Sequence, residues 1–199
     1  MNSYPLYLNS LKWQGDSIVK KTYEILNVFV SSPSDVYEER EILDGVVRDI
    51  NNTWMDALGI MLKTKKWETN VPSKITNQDP TDIIIEEIGE YDIHIGIMWS
   101  RFGSPTNEYE SGTEQEFRTA LNYYKEYKKP LIKFYFSKRE FRLETQEEID
   151  QFSQVKNFEN EIKNMGIIKY YQSIEEFRYM LFMELSICIK EEFIKSKGD

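Results

Sequence analysis

Cysteine and histidine are nearly missing from this 199-residue chain, which has one of each, Cys188 and His94. That excludes a disulfide framework, a zinc site built on several Cys or His, and Ser-His-Asp or Cys-His catalysis on any other imidazole. Glycine-rich phosphate loops are missing too. No GxGxxG follows Val30 and no P-loop signature occurs anywhere, which disfavours conventional Rossmann hydride transfer and P-loop phosphoryl transfer. Positive charge is scarce, with 25 Lys and Arg against 34 Asp and Glu, a net charge of −9 and a pI near 4.9. A nucleic-acid or anionic-membrane partner is therefore not expected, and Lys63 to Lys66 and Lys125 to Lys129 read as solvated faces. The longest apolar stretch, Tyr179 to Ile189, is broken by Glu184 and falls short of the roughly 20 residues of a spanning helix. Met1 to Ser17 lacks the basic and apolar regions of a signal peptide. The expectation is a soluble, cytoplasmic protein in which carboxylates carry the chemistry.

What the chain does have is an alternation of apolar runs and helical stripes. Ile25 to Val30 is a β-branched strand. The loop Ser31-Ser32-Pro33-Ser34-Asp35 follows it, and Val36, Leu43, Val47, Ile50 and Trp54 then recur at helical spacing. Ser32 is a candidate N-cap with Pro33 at the first helical position, or Asp35 and Glu38 form a capping box. Met61 to Trp67 is a lysine-rich edge strand, Asn77 to Asp82 a polar break, and Ile83 to Gly89 a short helix. Asp92 to Trp99 is apolar on both faces, as in the centre of a parallel sheet. Phe117, Ala120, Leu121 and Tyr124 give the next helix its stripe. Pro130 to Phe136 is a strand, Glu147 to Asn164 a helix, Gly166 to Tyr171 a strand and Ile174 to Phe193 a helix. Five β-then-α units predict an α/β, flavodoxin-like five-stranded parallel sheet of order 2-1-3-4-5 with helices on both faces. The domain spans 23–199, preceded by an extension over 1–22. The last helix carries more apolar residues than one buried face needs, including Met180, Phe182, Met183 and Ile187, which hints at a partner.

In that strand order the loops after the first and third strands meet at the switch point, where such folds bind ligands. The first supplies Ser31, Ser32 and Asp35, the last of which would orient it. The second runs from Trp99 to Thr113. Trp99 and Phe102 would stack on a flat base, Arg101 would pair with a phosphate, and Ser100, Gly103 and Thr113 would shape the wall. Glu116 would point in from the first helical turn. A plainer reading stands beside this one, since Thr113-x-x-Glu116 is itself a capping-box pattern. His94 is read as a neutral core imidazole and Cys188 as a small buried apolar residue.

These same segments resemble the TIR-like proteins grouped as the DUF4062 family, found in bacterial defence and signalling. The resemblance spans roughly Ile25 to Phe193. It rests on Val28-Phe29-Val30-Ser31-Ser32-Pro33-Ser34-Asp35 with Glu38, Glu39 and Arg40, on Tyr91-Asp92-Ile93 leading to Trp99 through Thr106, and on Gly112-Thr113 to Ala120. Gly112-Thr113-x-x-Glu116-x-x-x-Ala120 is also similar to the segment of nucleoside deoxyribosyltransferases that bears their catalytic glutamate. The resemblance implies cleavage of an N-glycosidic bond, in TIR enzymes the one between nicotinamide and ribose of NAD. Glu116 would be the catalytic carboxylate, needing neither metal nor cofactor, with NAD as substrate. Hydrolysis and cyclisation both remain open. Enzymatic TIR domains usually carry a cysteine in the loop before their glutamate, and this chain has none there. The rivals are a nucleoside or nucleotide glycosidase and a non-catalytic, self-associating adaptor. The expected partners are a second copy of the chain or another defence protein.

Overall fold

The computed structural model describes residues 9–14, 17–65 and 91–194. The expected break at Asn77 to Asp82, the short helix at Ile83 to Gly89, and Lys66 and Trp67 lie outside these residues. Strands β1 (Asn9–Gln14) and β2 (Ser17–Thr22) form an antiparallel pair of their own. The end of β2 is tied to the domain. Lys21 pairs with Asp56 at 2.8 Å, and the neighbouring Tyr23 hydroxyl donates to the same carboxylate at 2.6 Å.

The domain continues through β3 (Glu24–Ser31), α1 (Tyr37–Leu58), β4 (Ile60–Lys65) and β5 (Ile93–Met98). Then come α2 (Gly112–Tyr127), β6 (Leu131–Ser137), α3 (Gln146–Ile162), β7 (Ile168–Tyr171) and α4 (Ile174–Cys188), the last running into a π-helical turn. The parallel sheet has the order β4-β3-β5-β6-β7. Counted from β3 as its first strand, that is 2-1-3-4-5.

Alternation along the strands builds two cores. Leu26, Val28, Val30, Ile93, Ile95 and Ile97 face α1 and α4, while Met98, Ile132, Phe134 and Phe136 face α2 and α3. Gly96 sits opposite Phe134 in register. A Cβ there would come within 2.1 Å of the Phe134 ring, so only glycine lets that ring lie across β5. Phe134 then meets Phe117 and Phe158 edge-on, which seats α2 and α3 on the sheet.

Several local expectations are corrected. The residues after Pro33 make a 3₁₀ turn, Ser34–Val36, before α1 begins at Tyr37, and neither start has a side-chain cap. Ser32 therefore caps nothing. Asp35 and Glu38 form no capping box either, because the Asp35 carboxylate is drawn to another loop. Trp54 and Tyr124, read as members of buried stripes, are exposed. The last helix buries Leu181, Leu185, Cys188 and Ile189 and leaves Tyr179, Met183 and Ile187 in solvent. Among the described residues no helix is long and apolar enough to cross a membrane.

Candidate active site

At the carboxyl edge of the sheet, β3 ends on Ser31 and α2 begins after Ser111. Ser111, and not Thr113, is the N-cap of α2, accepting from the Glu114 amide at 3.3 Å. Glu116 is thereby released from the capping box that its spacing suggested. Its side chain turns toward the sheet, where Ser31 Oγ donates to Glu116 Oε2 at 2.5 Å. The same hydroxyl lies 3.5 Å from the carbonyl of the buried Thr113.

Glu116 is only 7% exposed, and this burial pushes its carboxyl up to about 7. The Ser31 hydrogen bond and the positive charge of Arg40 pull the other way. Arg40 comes from the first turn of α1. Burial lowers its pKa, and the nearby negative charges, Glu116 first, oppose that shift. Glu116 is thus a hydrogen-bonded acid balanced between charged and neutral forms close to neutral pH.

Asp35 joins the two loops. Its Oδ2 accepts from Ser100 N at 2.9 Å, from Ser100 Oγ at 2.9 Å and from Arg101 N at 3.0 Å. The Arg101 side chain is exposed and its charge is felt by Glu148 at the start of α3. Ser32 Oγ is buried with no hydrogen-bond partner among the described residues.

The aromatic residues of the second loop depart from the expected base-stacking role. Phe102 is 3% exposed and packs edge-on against Phe158, so it belongs to the core and lines no crevice. Its amide and that of Gly103 both donate to Gln151 Oε1, at 2.9 and 3.0 Å, which fastens the loop to α3. Gly103 has φ of 109°, where a side chain would also crowd Ser111. Trp99 is half-buried. Its indole N–H donates to the Arg139 carbonyl at 3.1 Å, the Arg139 guanidinium covers its ring at 4.3 Å, and Phe141 meets it edge-on.

Arg139 anchors a network that the sequence reading did not find. It donates to Glu39 Oε1 at 2.5 Å, and Tyr171 OH donates to the same oxygen at 2.7 Å. Glu39 is fully buried. One signal was available, because Glu39 falls between Val36 and Leu43 on the apolar stripe of α1, where an acid demands a partner. Arg40 gave no such signal, since its closeness to Glu116 depends on how α1 and α2 cross the sheet edge. His94 matches its reading: burial lowers its pKa to about 3, so the ring is neutral, and it packs against Phe29 and Tyr91.

Residues 27–186 match the family described as Domain of unknown function (DUF4062). The chain belongs to the DUF4062 family. The match takes in every residue of the site, from Ser31 to Glu116, as well as Glu39, Arg139 and Tyr171. Comparison of this DUF4062 protein with curated proteins and with solved structures gave no match.

Proposed function

We propose that this DUF4062 domain is an N-glycosidase that cleaves the nicotinamide–ribose bond of NAD. The observation that carries the reading is the buried Glu116 carboxyl, held by Ser31 at the switch point between β3 and β5. Breaking that bond sends its electron pair to nicotinamide, which starts as a cation and departs neutral, so no proton donor is needed. The positive charge then moves to the ribosyl carbon and ring oxygen. A carboxylate held against it in a water-poor site stabilises that charge strongly. Water, or a hydroxyl of the same ligand, completes the reaction by hydrolysis or cyclisation.

The Ser31 hydroxyl fixes the carboxylate's orientation, and Arg40 favours its ionised form. Asp35 keeps the opposite loop in place. A second reading, self-association without turnover, is favoured by Tyr179, Met183 and Ile187, which lie one turn apart along α4 and are 69%, 40% and 46% exposed.

Incubation with NAD and with a panel of nucleosides, followed by chromatography, separates these readings. Release of nicotinamide that Glu116→Gln lowers by on the order of 10²-fold supports NAD cleavage. Glu114→Gln is the control, since Glu114 pairs with Arg118 at 3.1 Å on another face of α2. Release of free base from nucleosides instead supports the nucleosidase. No turnover of either leaves the adaptor.

A further inference from the structure

Four consecutive backbone amides of the loop after β5 end on two side chains. The N–H groups of Ser100 and Arg101 donate to Asp35 Oδ2 at 2.9 and 3.0 Å, and those of Phe102 and Gly103 donate to Gln151 Oε1 at 2.9 and 3.0 Å. Converging amides of this kind can cradle an anion, but here the protein fills the cradle itself. Gln151 also returns a bond, because its Nε2 donates to the Gly103 carbonyl at 3.2 Å. A primary amide is the side chain that accepts from two amides and donates to a carbonyl at once.

The loop held in this way is what α2 starts from. A Cβ on Gly103 would stand 3.2 Å from Oγ of Ser111, the N-cap, and the Ser104 carbonyl accepts from the amide of Gly112, the first residue of α2, at 3.2 Å. Glu116 follows Gly112 by one turn of helix. Gln154, one turn along α3 from Gln151, donates from Nε2 to Glu110 Oε2 at 2.8 Å, near the other end of the loop. Farther along α2, Arg118 donates to Glu161 of α3 at 2.7 Å and to Glu114 at 3.1 Å. Those contacts hold the body of the helix, and its first turn rests on the loop.

We propose that Gln151 is a positioning residue for Glu116, acting through Gly103, Ser104 and the start of α2 to hold the carboxyl against Ser31 and out of water. The placement stands on geometry, and only its effect on rate rests on the glycosidase reading.

NMR titration of the full chain carrying isotope-labelled glutamate carboxyls reads the placement directly, with the Glu116 signal identified by its loss in Glu116→Gln. The groups coupled to Glu116 by charge, Arg40 of α1 and Tyr91 ahead of β5, are left in place by substitution of Gln151. Gln151→Met keeps the reach of the side chain and removes its amide. The Glu116 midpoint should then fall from about 7 toward the ordinary 4.5 as water reaches the carboxyl. The Phe102 and Gly103 amides should exchange with solvent on the order of tenfold faster. Gln151→Ala should give the same fall, and it decides the matter if Gln151→Met does not fold. A general loss of stability leaves the midpoint of the folded protein where it is, and Gln154→Met should keep the wild-type value. An unmoved midpoint in the Gln151 variants, or an equal fall in Gln154→Met, would overturn the proposal. With NAD, Gln151→Met should lower kcat by on the order of tenfold and change KM by less than about threefold. NAD cleavage at an unmoved kcat would overturn the positioning role. Absence of NAD cleavage by the wild-type chain, with the midpoint moving as expected, would overturn the glycosidase reading alone.

Discussion

Glu116 makes the protein pay at one residue for a charge that the proposed chemistry requires. In the folded chain its carboxyl titrates near 7, against 4.5 in an unperturbed chain. Between those values the native state holds a proton that the unfolded state has lost. The stability from this group is full below about pH 4.5 and disappears as pH rises through about 7. The gap corresponds to roughly 3 kcal/mol. Wild-type melting temperature should therefore fall relative to Glu116→Gln between pH 5 and pH 8, and parallel melting profiles would remove the assignment. Activity should move the opposite way, kcat/KM for NAD rising with pH through an apparent pKa near 7. A rate that fell over the same interval would make the protonated acid the working form and favour a neutral leaving base.

Glu39 is buried as well, and Arg139 and Tyr171 both donate to its Oε1. Truncation by Arg139→Ala would leave a buried carboxylate without its cation and uncover Trp99. A loss of about 3–5 kcal/mol in chemical denaturation is expected. A loss below about 1 kcal/mol would mean that the pair contributes little.

Among the elements, α2 depends on a residue that has no side chain. Gly96→Ala would drive a methyl group into the Phe134 ring, and Phe134 carries Phe117 of α2. The expected cost is about 1–3 kcal/mol, read by urea denaturation, with nicotinamide release impaired because Glu116 shifts along with α2. An alanine variant of full stability would show that the ring can swing aside. The five strands of the parallel sheet and most helices were legible in the sequence because β-branched runs and the stripes of α1 and α2 are local patterns, whereas the β1–β2 pair was not, since the sequence showed only an extension over 1–22. What escaped was decided by distant partners. Asp35 has the spacing of a capping residue, yet three donors from the loop after β5 outbid the amides of its own helix. Thr113 has the spacing of a cap, but Ser111 reaches the helix end first. Phe102 looks like a loop aromatic and is a core residue because α3 packs behind it. Of the candidate site, Glu116 and Ser31 could be read from position, while Arg40 could not.

For the whole molecule, the exposed side of α4 is the feature that a lone domain does not explain. Tyr179, Met183 and Ile187 form a single apolar stripe beside the buried one. If two copies meet there, sizing with light scattering should report a dimer that Met183→Glu with Ile187→Glu converts to monomer. NAD cleavage per chain should fall on dilution along with the dimer if a partner completes the site. Wild-type chain that stays monomeric at all concentrations would discard this role for the stripe.

The Asp35 clasp has a consequence for how such a domain can change over time. One carboxylate oxygen holds the backbone at Ser100 and Arg101. The segments around residues 35 and 100 are thus a single unit of inheritance despite the 65 positions between them. Recombination between two relatives should succeed when both segments come from the same parent, and fail when a crossover separates an aspartate from the loop shaped to receive it.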